Sequence, residues 1–300
     1  ISKIDKKLLI DFIQLFEYFI KNFSTKLWLI VNNILNVLFI GDIVGLTGLE
    51  LTTRLLDTFK QQYKIDFVIA NGENVTDGKS ISEQDANVLF NTGINVFTGG
   101  NHLWDRFQIK PLLGKEKRIL RPMNYPRENP GNGYYIGELQ DNVKIGVISL
   151  QGRTFMNPID CPFKSGEWAI NRIKEETNII IIDFHAEATA EKMALAWYFD
   201  GKVSAIIGTH THIQTADERI LPMGTAFISD VGMTGAYDSV VGMKKDIAIK
   251  RFIQQTPYKY EAASDDSKFC AVVISIDTIT GQAKKIKRIT YPEFVTEKNI

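Results

Sequence analysis

The sequence predicts an α/β sandwich in which sheets are flanked by helices within one compact domain. Short apolar runs typical of strands recur along the chain, and segments with helical spacing separate several of them. Polar residues are concentrated where the apolar runs end. This alternation is typical of sheets covered by helices. A chain of 300 residues is also long enough to bury a large core.

Each predicted element follows from a local pattern. Val37 to Ile40 is typical of a buried strand, and Leu49 to Tyr63 has the mixed apolar and charged spacing of an amphipathic helix. Ser82 with Asp85 forms a capping-box signal, which predicts a helix running to about Asn91. The other predicted elements are the strands Asp66–Ala70, Asn95–Thr98, Val143–Leu150, Asn178–Phe184 and Val203–Ile207, the helix Thr189–Phe199, and an antiparallel pair formed by Cys270–Ile276 and Lys284–Ile289.

Residues 1–34 differ in pattern from the rest of the chain. Leu8 to Ile20 has apolar residues at helical spacing but is interrupted by charges, and the uncharged run Leu27 to Ile40 is shorter than the roughly 20 residues that span a bilayer. We expect residues 1–34 to be an N-terminal extension, either a loosely attached helix or a segment outside the native protein. Residues 35–300 are expected to form a single domain, without membrane association.

Composition narrows the possible partners. The 35 basic and 35 acidic residues give a formal net charge of zero, which argues against a strongly basic surface for long nucleic acid. The chain has only two cysteines, Cys161 and Cys270, and their spacing is not that of a thiolate metal site. A reducing cytoplasm is consistent with this cysteine usage.

The four histidines all follow short apolar runs. His210 and His212 lie two residues apart after an apolar run that Gly208 is expected to break. In an extended backbone, side chains two residues apart point to the same side, so both imidazoles would be aimed at one point. Two buried imidazoles side by side favour a metal site.

Polar side chains follow five of the predicted strands, and ligand sites in α/β sheets form outside such strand ends. Taken singly, these residues have ordinary explanations, such as a helix cap, a tight turn or a buried histidine. Taken together, they predict a metal site, and their imidazole, carboxylate and amide groups suit Mn, Fe or Zn. A carboxylate can also bridge two cations about 3.5–4 Å apart. The residues are Asp42, Glu73, Asn74, Asn101, His102, His185, His210 and His212.

Several longer strings of residues surround these polar positions. They are Phe39–Gly45 (FIGDIVG), Asn71–Asn74 (NGEN), Gly100–Asp105 (GNHLWD), Arg121–Pro126 (RPMNYP), Asp183–Ala188 (DFHAEA), Gly208–Arg219 (GTHTHIQTADER), Asp230–Gly235 (DVGMTG) and Tyr237–Val240 (YDSV). Through these strings the sequence from Asn36 to Phe294 resembles the YmdB-like branch of the calcineurin-like metallophosphoesterases. This resemblance implies a four-layer α/β sandwich of two mixed sheets flanked by helices. Family members begin just before the first strand, so we also expect translation to start at Leu35 through a non-standard start codon.

The resemblance also implies a site with two divalent or trivalent metal ions, iron or manganese. Two departures from the wider superfamily are Val44, where a ligand histidine is usual, and Glu73, where a bridging aspartate is usual. His102 would remain free as the general acid, and Asp105 would either orient it or cap a helix. The implied ligands are Asp42, Asn74 and His212 for one metal, Asn101, His185 and His210 for the other, and Glu73 as the bridge.

The implied activity is hydrolysis of 2′,3′-cyclic or 3′,5′-cyclic nucleotides. A metal-activated water would attack phosphorus, and His102 would protonate the departing ribose oxygen. We expect a small nucleotide substrate, a homo-oligomer and a cytoplasmic location. Two alternatives remain open, a phosphatase or nuclease acting on RNA or phosphoprotein and a non-catalytic regulator that binds metal and nucleotide. Candidate substrate contacts are Tyr125, Phe155 and Tyr237 for a base, and Lys79, Arg106 and Arg153 for phosphate.

Overall fold

Thirteen strands and six α-helices are present in the computed structural model, which describes residues 33–139 and 142–294. The helices are α1 Gly45–Tyr63, α2 Glu83–Asn91, α3 Ile109–Lys115, α4 Pro162–Ile173, α5 Thr189–Phe199 and α6 Lys245–Gln254. The strands are β1 Ile34–Ile40, β2 Asp42–Ile43, β3 Phe67–Asn71, β4 Val96–Thr98, β5 Tyr134–Glu138, β6 Lys144–Gln151, β7 Ile180–His185, β8 Ala205–Thr209, β9 Arg219–Ile220, β10 Ala226–Ile228, β11 Met233–Ala236, β12 Ser267–Asp277 and β13 Ala283–Tyr291.

The strands form two mixed sheets. One sheet has the order β2-β11-β12-β1-β3-β4, with β13 paired to β12, and the other has the order β5-β6-β7-β8-β10-β9. Strands β1, β3 and β4 run parallel, as do β6, β7 and β8. Parallel strands end at the same edge of a sheet, so the loops after these strands gather their polar residues together.

Alternation of side chains along the strands builds three apolar layers. On β1, Val37 and Phe39 pack in the core between the sheets, whereas Leu38 and Ile40 face the helices of the first sheet. On β7, Ile181 lies between the sheets and Ile182 packs under α4 and α5. Because successive side chains point to opposite faces, a strand covered on both faces is a continuous apolar run. The order of layers is therefore helix, sheet, sheet, helix, which confirms the expected four-layer sandwich.

The predicted elements are found, with shifted ends. Helix α2 begins after Ser82, whose side chain accepts from Asp85 N at 3.1 Å, and α5 has the predicted bounds. The expected start of the first helix at Leu49 is wrong, because α1 begins at Gly45. Gly48 lies so close to β11 that a Cβ there would meet Thr234 O at 2.4 Å. Packing against a strand, rather than helix propensity, accounts for this glycine-containing first turn.

The predicted extension and its boundary concern residues that are mainly outside the described part of the chain, since description begins at residue 33. The assignment of residues 1–34 therefore stays a prediction. Among the described residues, no helix combines the length and apolar character needed to cross a bilayer.

Candidate metal centre

Segments at the carboxyl ends of five strands bring the predicted ligands together at one edge of the two sheets. Asp42 follows β1, Glu73 and Asn74 follow β3, and a 3-10 helix spanning Asn101–Asp105 follows β4. In the second sheet, β7 ends at His185, and the loop after β8 carries His210 and His212. All seven predicted metal ligands contribute to one group of contacts.

Four of these side chains form the first half of the group. Ligand atoms of Glu73, His185 and His210 lie within 4.8 Å of one another. His185 Nε2 is 3.0 Å from both Glu73 Oε1 and His210 Nδ1, and it is 3.2 Å from Asn101 Oδ1. Two ring nitrogens, a carboxylate and an amide oxygen thus converge, as in sites for Mn, Fe or Zn.

The second half consists of Asp42, Asn74 and His212. The Asn74 amide nitrogen is 3.4 Å from Asp42 Oδ1 and 3.3 Å from His212 Nε2. His212 Nε2 is 3.7 Å from Asp42 Oδ1. The same Asn74 amide is 3.4 Å from Glu73 Oε1, so Glu73 contacts both halves. This position between the two halves is the one expected of a bridging carboxylate.

In each of the three imidazoles, the ring nitrogen that faces away from the ligand group (the outer nitrogen) contacts an oxygen atom. His210 Nε2 is 3.1 Å from Glu187 Oε2, and His212 Nδ1 is 2.9 Å from Val241 O. His185 Nδ1 is 2.9 Å from Thr209 Oγ1. An acceptor at the outer nitrogen fixes the tautomer and the orientation of the ring, so that the lone pair of the other nitrogen points into the group, where a metal ion would bind. The donor set therefore fits metal ions.

The buried charges of the site also favour the binding of metal ions. Asp42, Glu73 and Asp183 are fully buried. Burial acts to raise the pKa of Asp42, but hydrogen bonding and charge from His212 and His185 outweigh it and hold that pKa below its ordinary range. Burial acts to lower the pKa of His185, but Glu73 and the other carboxylates outweigh it and raise that pKa to about 9. A buried group of carboxylates thus selects positive charge, which metal ions would supply.

The pKa of His210 shifts in the opposite direction to the pKa of His185. Burial and the neighbouring charge of His185 lower the pKa of His210 to about 3, so its imidazole is neutral at neutral pH. A neutral imidazole has the free lone pair that metal coordination requires.

His102 lies beside this group. Its backbone N–H donates to Glu73 Oε2 at 3.0 Å, and its ring Nδ1 is 2.9 Å from Asp105 Oδ2. Asp105 also accepts from Lys79 Nζ at 2.7 Å. Of the two roles considered for Asp105, orientation of His102 is the one with a direct contact.

One premise of the sequence argument is wrong. The backbone of His210 and His212 is not extended, since their φ angles are +100° and +64°, and β8 continues through Gly208 to Thr209. A Cβ at Gly208 would meet Ser229 O at 1.8 Å, so glycine permits close strand packing there rather than ending the strand. The two imidazoles reach the site from a tight turn.

A polar network behind the ligands was not predicted. Thr209 Oγ1 donates to Asp183 Oδ1 at 2.6 Å, and Asn71 Nδ2 donates to Asp183 Oδ2 at 3.0 Å. Thr209 in turn contacts His185, so Asp183 supports that ligand through a hydroxyl. The sequence signal that could have predicted this network is the presence of polar residues within apolar strands, because buried polar side chains need hydrogen-bond partners.

Two of the candidate phosphate contacts are already paired in the structure. Arg106 Nη2 donates to Asp77 Oδ2 at 2.7 Å, and Lys79 donates to Asp105. Tyr237 donates to Met233 O at 3.1 Å, and its ring packs edge-on against Phe294. Phe155 is 89 % exposed. The Tyr237 hydroxyl also lies 3.4 Å from the backbone oxygen of His212. Among the described residues, Lys79, Arg106 and Phe155 make no hydrogen bond to a predicted metal ligand.

Comparison with known proteins places the chain in a family. The model of the YmdB-like protein family matches residues 38–289. The chain belongs to the YmdB-like family. It is 45% identical over 256 residues to the 2′,3′-cyclic-nucleotide 2′-phosphodiesterase of Bacillus subtilis strain 168, covering 85% of this chain and 96% of that enzyme.

Two crystal structures share the fold of this YmdB-like chain. A hypothetical protein from Thermus thermophilus has a TM-score of 0.79 and 37% identity, covering 86% of this chain and 99% of that one. A novel phosphatase from Mycoplasma pneumoniae has a TM-score of 0.81 and 34% identity, covering 86% and 93%. These matches confirm the family and the fold that the sequence motifs predicted.

Proposed function

We propose that the chain hydrolyses 2′,3′-cyclic nucleotides at this centre, with His102 as general acid. The observation that carries the proposal is the arrangement around Glu73. Its Oε1 faces the imidazole of His185, while its Oε2 accepts from the backbone of His102. A ligand group and a free histidine are thereby fixed relative to each other, as acid catalysis beside a metal site requires.

At the level of reaction class, the chain is a hydrolase of phosphodiester bonds, because it shares 45% identity with a 2′,3′-cyclic-nucleotide 2′-phosphodiesterase along nearly all of that enzyme. The preference for the 2′,3′-cyclic ring is the finer part of the proposal. The same experiment tests activity on 3′,5′-cyclic nucleotides.

We assign the seven predicted ligands to two metal ions, iron or manganese. Asp42, Asn74 and His212 would hold one, Asn101, His185 and His210 the other, and Glu73 would bridge them. When bound, such a pair would supply an activated water and neutralise charge on a phosphoryl group.

The chain's own contribution is to place a proton donor. Asp105 holds Nδ1 of His102, which leaves Nε2 on the opposite side of the ring to protonate the 2′ oxygen of the ribose. Breaking the P–O2′ bond in this way would convert 2′,3′-cAMP into 3′-AMP.

The proposal also covers the location, the oligomeric state and the substrate size of the enzyme. We expect a cytoplasmic homo-oligomer that acts on small nucleotides. The zero net charge supports a small ligand over a long nucleic acid, since binding a polymer depends on many cationic contacts. Size-exclusion chromatography with light scattering measures the oligomeric state.

The decisive experiment combines turnover with metal analysis. Purified protein is assayed against 2′,3′-cAMP, 3′,5′-cAMP, bis(p-nitrophenyl) phosphate and p-nitrophenyl phosphate, and bound iron and manganese are measured by mass spectrometry. Formation of 3′-AMP by protein with two metals per chain supports the proposal. Full metal occupancy with hydrolysis of the monoester alone would assign a phosphatase, and occupancy with no hydrolysis would assign a binding regulator.

A further inference from the structure

A cavity of about 390 Å³ lies outside the group of metal ligands. Pockets for small ligands span roughly 300–1,000 Å³, so a mononucleotide or a smaller phosphorylated molecule fits this volume. None of the seven proposed metal ligands lines it. The lining consists of Arg121, Met123, Tyr125, Arg127, Asp160, Cys161, Lys164, Ser165 and Trp168.

The charge of this cavity is positive. Arg121, Arg127 and Lys164 contribute three positive charges and Asp160 one negative charge, which leaves an excess of two. Arg153 lies near the same wall, with Nη2 3.6 Å from Cys161 Sγ. A concave surface with this excess concentrates anions.

Arg121 is a buried charged residue in the wall of the cavity. It is only 7% exposed, and its Nε is buried without a hydrogen-bond partner among the described residues. Its Nη1 donates to the carbonyl oxygens of Pro122 and Met123 at 2.9 and 3.4 Å. Burial lowers the pKa of this guanidinium below its ordinary value. An anion in the cavity would offset the desolvation of the guanidinium charge.

The start of helix α4 adds further donors. Cys161 is its N-cap and makes no side-chain capping bond, and no acidic residue lies in the first turn. The first backbone N–H groups of a helix lack intrahelical acceptors, and the helix dipole favours an anion at this end. The lining residues Cys161, Lys164 and Ser165 place that end at the cavity wall.

We propose that this cavity binds the phosphate group of a phosphomonoester. A phosphate dianion matches the excess of two positive charges, and arginine with a helix N-terminus is the usual combination for phosphate oxygens. Trp168 and Tyr125 supply aromatic surface for an organic group attached to the phosphate. The inference uses neither His102 nor the seven proposed metal ligands. It does reassign Tyr125 and Arg153, two candidate substrate contacts, to this separate cavity.

The cavity shares a wall with the metal centre. Tyr125 donates from its hydroxyl to Gln151 Oε1 at 3.0 Å, and Gln151 pairs in register with His185 across β6 and β7. A molecule bound in the cavity would therefore lie one strand away from His185, a proposed metal ligand. Phosphate could also bind at the metal centre itself, so the test separates the two places.

The test is calorimetric titration of inorganic phosphate into wild-type protein, His210→Ala and the double variant Arg127→Ala/Lys164→Ala. His210→Ala removes a proposed metal ligand but leaves the cavity intact. Arg127 and Lys164 are exposed, so their truncation spares the core. We expect phosphate binding to persist in His210→Ala and to weaken at least tenfold in the double variant. Lys250→Ala/Lys259→Ala is the matched control, because it removes two exposed lysines elsewhere.

Two results would overturn the proposal. One is binding that disappears in His210→Ala and is unchanged in the double variant, which would locate phosphate at the metal centre alone. The other is an equal loss in the double variant and in its control, which would reflect net charge only. Arg121→Lys keeps the positive charge but loses the planar guanidinium and its hydrogen bonds to Pro122 O and Met123 O, so we expect it to weaken binding several-fold and to lower the Tm.

A second titration, in His210→Ala, compares 3′-AMP with inorganic phosphate. Tighter binding of 3′-AMP, with quenching of Trp168 fluorescence that is absent in Trp168→Phe, identifies a nucleotide as the source of the phosphate. Equal affinity identifies free phosphate. Absence of binding by both would refute the site, whatever the outcome of the cyclic-nucleotide assay.

Discussion

Lys192 Nζ donates to Asp230 Oδ2 at 2.8 Å, and both side chains are almost fully buried. Asp230 Oδ2 also accepts from the backbone N–H of Thr211 at 2.9 Å, and its Oδ1 accepts from Gly232 N at 2.8 Å. Thr211 lies between His210 and His212. This ion pair therefore anchors the turn that carries both imidazoles.

Lys192→Met is expected to reduce both stability and metal content. Removing one partner of a buried pair leaves an uncompensated charge, which costs about 3–5 kcal/mol. The freed Asp230 would also hold Thr211 less firmly. Urea unfolding measures the first effect and mass spectrometry of bound metals the second.

The control for this prediction is Lys244→Met. Lys244 pairs with Glu261 at 2.9 Å, but both side chains are about half exposed, so its loss should destabilise the protein far less than the loss of Lys192. Similar destabilisation in the two variants would contradict the anchoring role of the buried pair.

Gly100→Ala is expected to disrupt the site through a steric clash. A Cβ at Gly100 would lie 2.1 Å from His185 Cδ2, so the imidazole would have to move away from Glu73. Metal content and turnover should fall together, as measured on the purified variant. Gly114→Ala is the matched control, since a Cβ there meets nothing within 4 Å and the residue lies in α3. Retention of full metal content in Gly100→Ala would show that the site tolerates displacement of His185.

Substitution of two histidines should separate acid catalysis from metal binding. His102→Ala is expected to keep its metals and lose roughly 10²–10⁴-fold in kcat, the usual contribution of a general acid. His210→Ala should lose metal as well as activity, because its Nδ1 lies within the ligand group. Metal analysis and kcat are measured on the same preparations. Equal metal loss in both variants would count against the division of roles.

Asp105→Asn tests how His102 is oriented. The 2.9 Å contact to His102 Nδ1 holds the ring, so its weakening should lower kcat by about 10–100-fold with little change in KM. In a double-mutant cycle, Asp105→Asn should add almost nothing to His102→Ala. Independent, additive losses would assign Asp105 a separate role, such as its contact with Lys79.

The sequence was most informative where one local pattern specified one structure. The strands predicted at Val37–Ile40 and Asn178–Phe184 are found because Val37–Ile40 and Ile179–Phe184 are buried on both faces. Ser82 predicts a helix start because its side chain accepts from Asp85 N. All predicted ligands follow strands whose carboxyl ends meet at one edge, which the alternation of elements implies.

Sequence patterns were least informative where a contact between distant segments decides the conformation. The positive φ angles of His210 and His212 arise in a turn tied to Asp230, about 20 residues further along the chain. The first turn of α1 depends on packing against Thr234. The orphaned Nε of Arg121 likewise becomes visible only once its neighbours are placed.

Cys270 gives a prediction about alkaline stability. Burial raises the pKa of its thiol from an ordinary 9.0 to about 11. Between these values the unfolded chain releases the proton while the folded protein keeps it, so stability present below pH 9 is lost as the pH rises toward 11. A shift of this size corresponds to about 2–3 kcal/mol. Cys270→Ala should therefore show a smaller decline in unfolding free energy between pH 8 and about pH 10.5 than wild type, measured by urea denaturation. Cys161→Ala, at a partly exposed position, should decline like wild type. An undiminished decline in Cys270→Ala would show that other groups govern alkaline unfolding.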